Sequence, residues 1–159
     1  RQVYYKYVAG DVPELVSAAA SDTVELPENL QRKTALPDEK QRHIWDSLES
    51  QMRQKALFTD CDLNLDKLAA LTGINKYHLS ETLNSFAGKS FYQYVNEYRV
   101  AHVLKQLENR SQGREAEPNF LSLAYQSGFK AKSSFNRYFK EITGLTPSEY
   151  LRSTRNVMA

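Results

Sequence analysis

Leu123-Ala124-Tyr125-Gln126-Ser127-Gly128-Phe129, followed by Phe135, Phe139, Ile142 and Gly144, carries the spacing of two short helices joined by a tight turn. Two helices that meet at a steep angle need a small residue where they touch, and Ala124 supplies it. The turn needs a residue that tolerates positive φ at the end of the first helix, a place for Gly128. Phe135 and Phe139, four apart, then lie on the inner stripe of the second helix and leave its outer stripe to face a partner.

The pattern occurs twice. Leu68-Ala69-Ala70-Leu71-Thr72-Gly73-Ile74, with Leu79, Leu83, Phe86 and Gly88 downstream, repeats it earlier in the chain. Two copies with matching small, glycine and apolar positions make coincidence a poor explanation. Each copy also continues past its second helix. Gly88-Lys89-Ser90-Phe91-Tyr92-Gln93-Tyr94 pairs with Gly144-Leu145-Thr146-Pro147-Ser148-Glu149-Tyr150, where Ser90 or Thr146 caps a new helix and Gln93 or Glu149 reaches back. Pro147 suits a first helical position.

Between the copies, Ser90 to Leu107 forms one helix with two apolar faces. Phe91, Tyr94, Val95 and Tyr98 share one side; Val100, Val103, Leu104 and Leu107 lie nearly opposite, so a single helix can anchor two cores. Upstream, Ile44, Trp45, Leu48, Met52 and Leu57 mark an amphipathic helix that starts after Pro37 and ends near Phe58. Asn64 is placed to cap the first copy, with Asp66 in its favourable first turn. Residues 1–36 hold no sustained period and read as a partly ordered arm with one short helix near Pro13 to Ala20. Arg110 to Asn119 reads as a solvated loop. The expected fold is therefore all-α: two helix-turn-helix subdomains joined by a long connector helix, with a partly ordered N-terminal arm. The expected divisions are 1–37 for the arm or juxtamembrane linker, 38–108 for the first subdomain with the connector, and 109–159 for the second.

Composition narrows the function. The chain has 159 residues, 41% apolar, enough for one or two modest cores. A lone Cys61 forbids an internal disulfide, and no apolar run is long enough for a membrane helix. The net charge of +2 hides a division: residues 1–62 hold 8 Lys+Arg against 11 Asp+Glu, net −3, and residues 63–159 hold 13 against 8, net +5. The basic excess accompanies the repeats, as a polyanion-binding surface requires. There is no phosphate-binding glycine loop and no nucleophile elbow, and His43, His78 and His102 show no ligand spacing with one another or with Cys61. Neither an enzyme, a metal site nor a cofactor is expected.

From residue 40 to 153 the chain resembles the C-terminal DNA-binding region of the AraC/XylS family of bacterial transcription regulators. The resemblance is strongest from Leu123-Ala124-Tyr125-Gln126-Ser127-Gly128-Phe129 through Ser134-Phe135-Asn136-Arg137-Tyr138-Phe139-Lys140, closing with Thr143-Gly144-Leu145-Thr146-Pro147-Ser148-Glu149-Tyr150. It implies a cytoplasmic transcription factor that binds double-stranded DNA with two recognition helices in successive major grooves, with RNA polymerase as a further partner. The loop from Arg110 to Asn119 is longer than is usual in that family. Arg1-Gln2-Val3-Tyr4-Tyr5-Lys6-Tyr7 resembles a branch in which a membrane-embedded sensor precedes the DNA-binding region. It suits either the cytoplasmic edge of a final membrane helix or a soluble arm that folds its tyrosines onto the helices. Oligomeric state is left open.

By the same resemblance, Tyr77, Ser80 and Glu81 on the first recognition helix, and Lys132, Ser133, Asn136 and Arg137 on the second, fall at base-reading positions. Their chemistry agrees: Arg137 can donate twice to guanine, Asn136 can pair with adenine, Glu81 can accept from cytosine, and Tyr77 can touch a thymine methyl. Lys76, Lys89, Lys130 and Ser134 are placed for phosphates. Each has a plainer alternative. Arg137 and Lys132 could solvate a helix face, Glu81 could form an internal pair, and the whole could be a helical protein-protein interaction module of a signalling protein. Arg99 on the connector is read as a structural partner for a carboxylate or a helix end.

Overall fold

The computed structural model describes residues 35–111 and 119–158, and every structural statement below concerns these residues. The expected short helix near Pro13 to Ala20, and most of the Arg110 to Asn119 loop, lie outside them. Seven α-helices follow in order: α1 (Asp38–Lys55), α2 (Leu65–Thr72), α3 (Lys76–Glu81), α4 (Phe91–Ser111), α5 (Phe120–Gln126), α6 (Lys132–Thr143) and α7 (Pro147–Met158). A 3₁₀ turn at Leu57–Thr59 follows α1, and a π turn at Thr82–Phe86 extends α3.

Local chemistry sets most boundaries. The Asn64 side chain accepts from Lys67 N at 2.8 Å and starts α2, and Gly73, with φ +70°, ends it in the left-handed conformation. Ser90 Oγ accepts from Gln93 N, opening α4. Thr146 and Glu149 form a reciprocal capping box, with Thr146 N donating to Glu149 Oε2 at 2.7 Å and Glu149 N donating to Thr146 Oγ1 at 3.3 Å. The bond from Thr146 N, and then hydrogen bonding from the Thr146 side chain, hold the Glu149 carboxyl below its usual pKa. Pro147 is the first residue of α7. Helix α1 stops at Lys55, short of Phe58, because Ala56 takes φ +47° and redirects the chain into the 3₁₀ turn. An alanine in that conformation stores strain that the surrounding contacts must offset.

The chain divides into two compact units. Among the described residues, one comprises 35–57 together with Leu63–Tyr94; the other comprises Phe58–Asp62 together with Val95 onward. Helix α4 therefore starts in one unit and continues in the other. In the first, α1, α2, α3 and the π turn enclose Leu48, Met52, Leu68, Leu79 and Leu83, all at most 1% exposed. Tyr94 joins them, its ring 5.3 Å from Trp45 and its hydroxyl donating to Glu49 Oε1 at 2.8 Å. In the second, Val100, Val103 and Leu107 of α4 pack with Leu123, Ala124, Phe129, Phe135 and Phe139. Phe91 and Tyr98, expected on the inner faces of α4, are only half-buried.

The second unit is organised around Arg99. This residue is 7% exposed, and its guanidinium donates to Phe58 O at 2.8 Å, Asp60 O at 2.8 Å and Asn96 Oδ1 at 3.1 Å. It also lies over the Phe129 ring, 5.8 Å from the centroid. Two of these acceptors are backbone carbonyls at the end of the 3₁₀ turn, the helix-end partner expected of Arg99. Gly128 sits against the same group: a Cβ there would overlap Phe58 O and approach Arg99 Nε to 2.9 Å. Glycine is needed at 128 for close approach as well as for its φ of +100°.

Candidate nucleic-acid interface

In both units a short helix leads through a tight turn into a second helix whose apolar stripe is buried and whose other side is open. In the first unit α2 leads through Gly73-Ile74-Asn75 into α3, and the Asn75 side chain accepts from Tyr77 N at 2.9 Å. Leu79 and Leu83 face inward, and Tyr77 is 52% exposed. Ser80 and Glu81 are half-buried beside it. In the second unit α5 leads through a turn two residues longer into α6. Phe135 and Phe139 face inward, whereas Lys132, Ser133 and Arg137 are exposed and Asn136 and Ser134 are half-buried.

The structure gathers the expected base readers into two groups by helical spacing. Tyr77, Ser80 and Glu81 share one face of α3; Lys132, Ser133, Asn136 and Arg137 share one face of α6. Lys76 is the first residue of α3, Lys130 lies in the turn before α6, and Lys89 follows Gly88 at the far end of the first recognition segment. Ser134 sits one step to the side of the α6 group.

Several of these residues already have partners that spacing alone did not announce. Glu81 Oε1 accepts from Leu36 N at 2.8 Å, and Leu36, 8% exposed, is held again by Gln41 Nε2 donating to its carbonyl. Lys76 Nζ pairs with Asp66 Oδ1 at 2.7 Å. Lys130 Nζ pairs with Asp62, a bond that pushes its pKa above the ordinary lysine range. Asn84 Nδ2 reaches Ser80 Oγ at 3.4 Å. The Arg137 guanidinium lies 4.8 Å from the Tyr138 ring centroid.

Two further groups flank the second unit's turn. His102 Nδ1 lies 2.8 Å from the buried Ser127 Oγ, and burial, then the Lys105 charge, lowers the imidazole pKa from 6.5. Asp60, Cys61 and Asp62 bring their ligand atoms within 4.8 Å of one another. Asp60 Oδ1 accepts from Asp62 N, and Asp62 is the partner of Lys130. The trio is thus a self-bonded acidic turn at the edge of the candidate face.

A family model described as a helix-turn-helix domain, of AraC type, matches residues 68–153, more than half of the chain. The chain belongs to that family. An uncharacterized HTH-type transcriptional regulator of Staphylococcus aureus strain COL is 27% identical over 118 residues, 74% of this chain but 14% of the relative. The Proteus vulgaris protein named "Probable transcription factor PqrA" is 27% identical over 88 residues, 55% of this chain and 67% of that one. A solved structure of a Listeria innocua protein of unknown function superimposes with a TM-score of 0.52 at 27% identity, covering 67% of this chain and 92% of its own. The chain spans about one seventh of the staphylococcal relative's length. Family and relatives together support a DNA-binding role in transcription regulation. Among the described residues, no helix is long and apolar enough to cross a membrane.

Proposed function

We propose that this chain is the sequence-specific, double-stranded DNA-binding region of a bacterial transcription regulator, inserting α3 and α6 into successive major grooves. The observation that carries the reading is the face of α6. Four consecutive face positions hold Lys132, Ser133, Asn136 and Arg137, all at least partly open to solvent, while Phe135 and Phe139 on the opposite stripe are fully packed. A helix so divided is held firmly by one side and offers hydrogen-bonding groups of base-reading type on the other.

Arg137 and Asn136 are assigned to purine edges, Lys132 and Ser133 to bases near the start of the helix, and Tyr77 and Ser80 to the first groove. Lys89 and Ser134 are assigned to phosphates, and Lys76 and Lys130 to phosphates in exchange for their present carboxylate partners. RNA polymerase and an N-terminal sensory portion, membrane-embedded or otherwise, are the further partners, which places the region in the cytoplasm at the nucleoid.

A mobility shift with mixed-sequence duplex at low salt tests this. Retardation that weakens steeply as salt rises is expected, because neutralising phosphates releases counterions. No shift at micromolar protein would sink the DNA reading and favour a helical protein-interaction module instead.

A further inference from the structure

Lys76, the first residue of α3, and Lys130, two residues ahead of α6, are both held by aspartates, and the two aspartates do not come from equivalent places. Asp66 lies in the first turn of α2, inside the same copy of the motif as Lys76. Asp62 comes from the turn after α1, upstream of both copies, yet belongs with the second unit and reaches Lys130. Duplication of one motif would not deliver that pairing twice by this route. Asp62 is also presented by its turn, its own N–H donating to Asp60 Oδ1 at 2.9 Å. Both aspartates are exposed, with side chains 73% and 65% accessible.

We infer that Asp62 and Asp66 are internal stand-ins for DNA phosphate: each occupies one lysine beside a recognition helix and so withholds it from any duplex. The inference rests on the DNA-binding reading and adds to it a pair of positioning residues that act through Lys130 and Lys76. A lysine that leaves a carboxylate for a phosphate exchanges one anion for another, so the aspartates lower the effective number of phosphate contacts. That number sets both affinity for arbitrary sequence and the steepness of its salt dependence. Base reading by Asn136 and Arg137 does not pass through either pair.

The test is a salt-titrated affinity series of the full chain on a mixed-sequence duplex, comparing wild type, Asp62→Asn, Asp66→Asn, Lys130→Gln, Lys76→Gln and the matched double variants. Each aspartate substitution is expected to tighten binding at low salt by about two- to fivefold, the range of an exposed ion pair. The slope of log affinity against log salt should steepen by about one. Asp62→Asn should do neither in the Lys130→Gln background, and Asp66→Asn should do neither in the Lys76→Gln background. Equal effects with and without the lysine would mean that the aspartates act as bulk charge, and would overturn the inference while the DNA reading stands. So would unchanged affinity and slope in a wild type that binds. If wild type and every variant fail to bind at low salt, the DNA reading falls and takes this inference with it.

Discussion

The two helix-turn-helix units share a pattern and differ in how they are built. The first is packed with aliphatic side chains, Leu79 and Leu83 at the inner stripe of its recognition segment, beside a Trp45 and Tyr94 pair. The second places Phe135 and Phe139 at the same two positions, and these form ring contacts with Phe120, Phe129 and Tyr150 at 5.4 to 6.4 Å. The recognition helices differ accordingly. α6 is a regular helix of 12 residues, while α3 runs for 6 residues and then widens into the π turn, leaving Thr82 Oγ1 buried without a hydrogen-bond partner. The outer faces differ as well. The first carries Glu81 already bonded to Leu36 N and Ser80 already approached by Asn84; the second presents Lys132, Asn136 and Arg137. The same scaffold thus yields one face largely occupied by the protein itself and one face equipped for a polyanion.

The sharpest way to break this comparison is at the turn glycines. Gly128→Ala must force its new methyl into Phe58 O and the Arg99 guanidinium at an unfavourable φ, and should cost roughly 3 kcal/mol or more in chemical denaturation. Gly73→Ala meets nothing within 4 Å and should cost only about 1 kcal/mol, the left-handed backbone penalty. Equal losses would show that the two turns are built alike after all.

On DNA, Arg137→Ala should lose about 1 to 3 kcal/mol and relax preference at one base position. Ser80→Ala should lose less than about 1 kcal/mol, a single neutral hydrogen bond at most. A loss for Arg137→Ala that is uniform across all sequences would reassign it to phosphate.

The helix starts offer a finer contrast. Asn75 caps α3, whereas Ala131, with extended φ −135° and ψ 141°, leaves α6 without a side-chain cap. Ala131→Asp should stabilise the fold by about 1 kcal/mol while weakening duplex binding, because the new carboxylate takes the place a phosphate would hold. Weaker folding, or tighter DNA binding, would contradict that account.

The smallest expected effect is one of pH. His102 has its folded pKa below 6.5, so the unfolded chain binds more protons, and stability contributed by the neutral imidazole is lost as pH falls from 6.5 through the lowered value. His102→Gln should flatten the stability profile across that window. An unchanged profile would remove His102 from the account.

What could be read in advance was chemistry that acts within a few residues. Asn64, Ser90, Thr146 and Glu149 start helices through bonds to backbone groups three positions away, Pro147 by its fixed φ at the first helical position, and they do so in the structure. The inner stripes followed from periodicity for the same reason. What escaped notice depends on tertiary approach. Nothing near Arg99 in sequence says that its donors end on Phe58 O and Asp60 O, nor does anything near Glu81 point to Leu36. The close packing of Gly128 is hidden by a sufficient local explanation, its positive φ. The stop at Ala56 was unreadable because alanine favours helix, and nothing near it in sequence announces the left-handed φ that turns the chain there. At the candidate face the residue types were legible, but their carboxylate partners were not.

The most direct measurement is selection of bound sequences from a random duplex pool, repeated with Arg137→Ala and Tyr77→Ala. Two enriched blocks centred about one helical turn, roughly 10 base pairs, apart are predicted, one blurred by each substitution. A single block indifferent to Tyr77→Ala, or no enrichment, would contradict the claim that both helices read DNA.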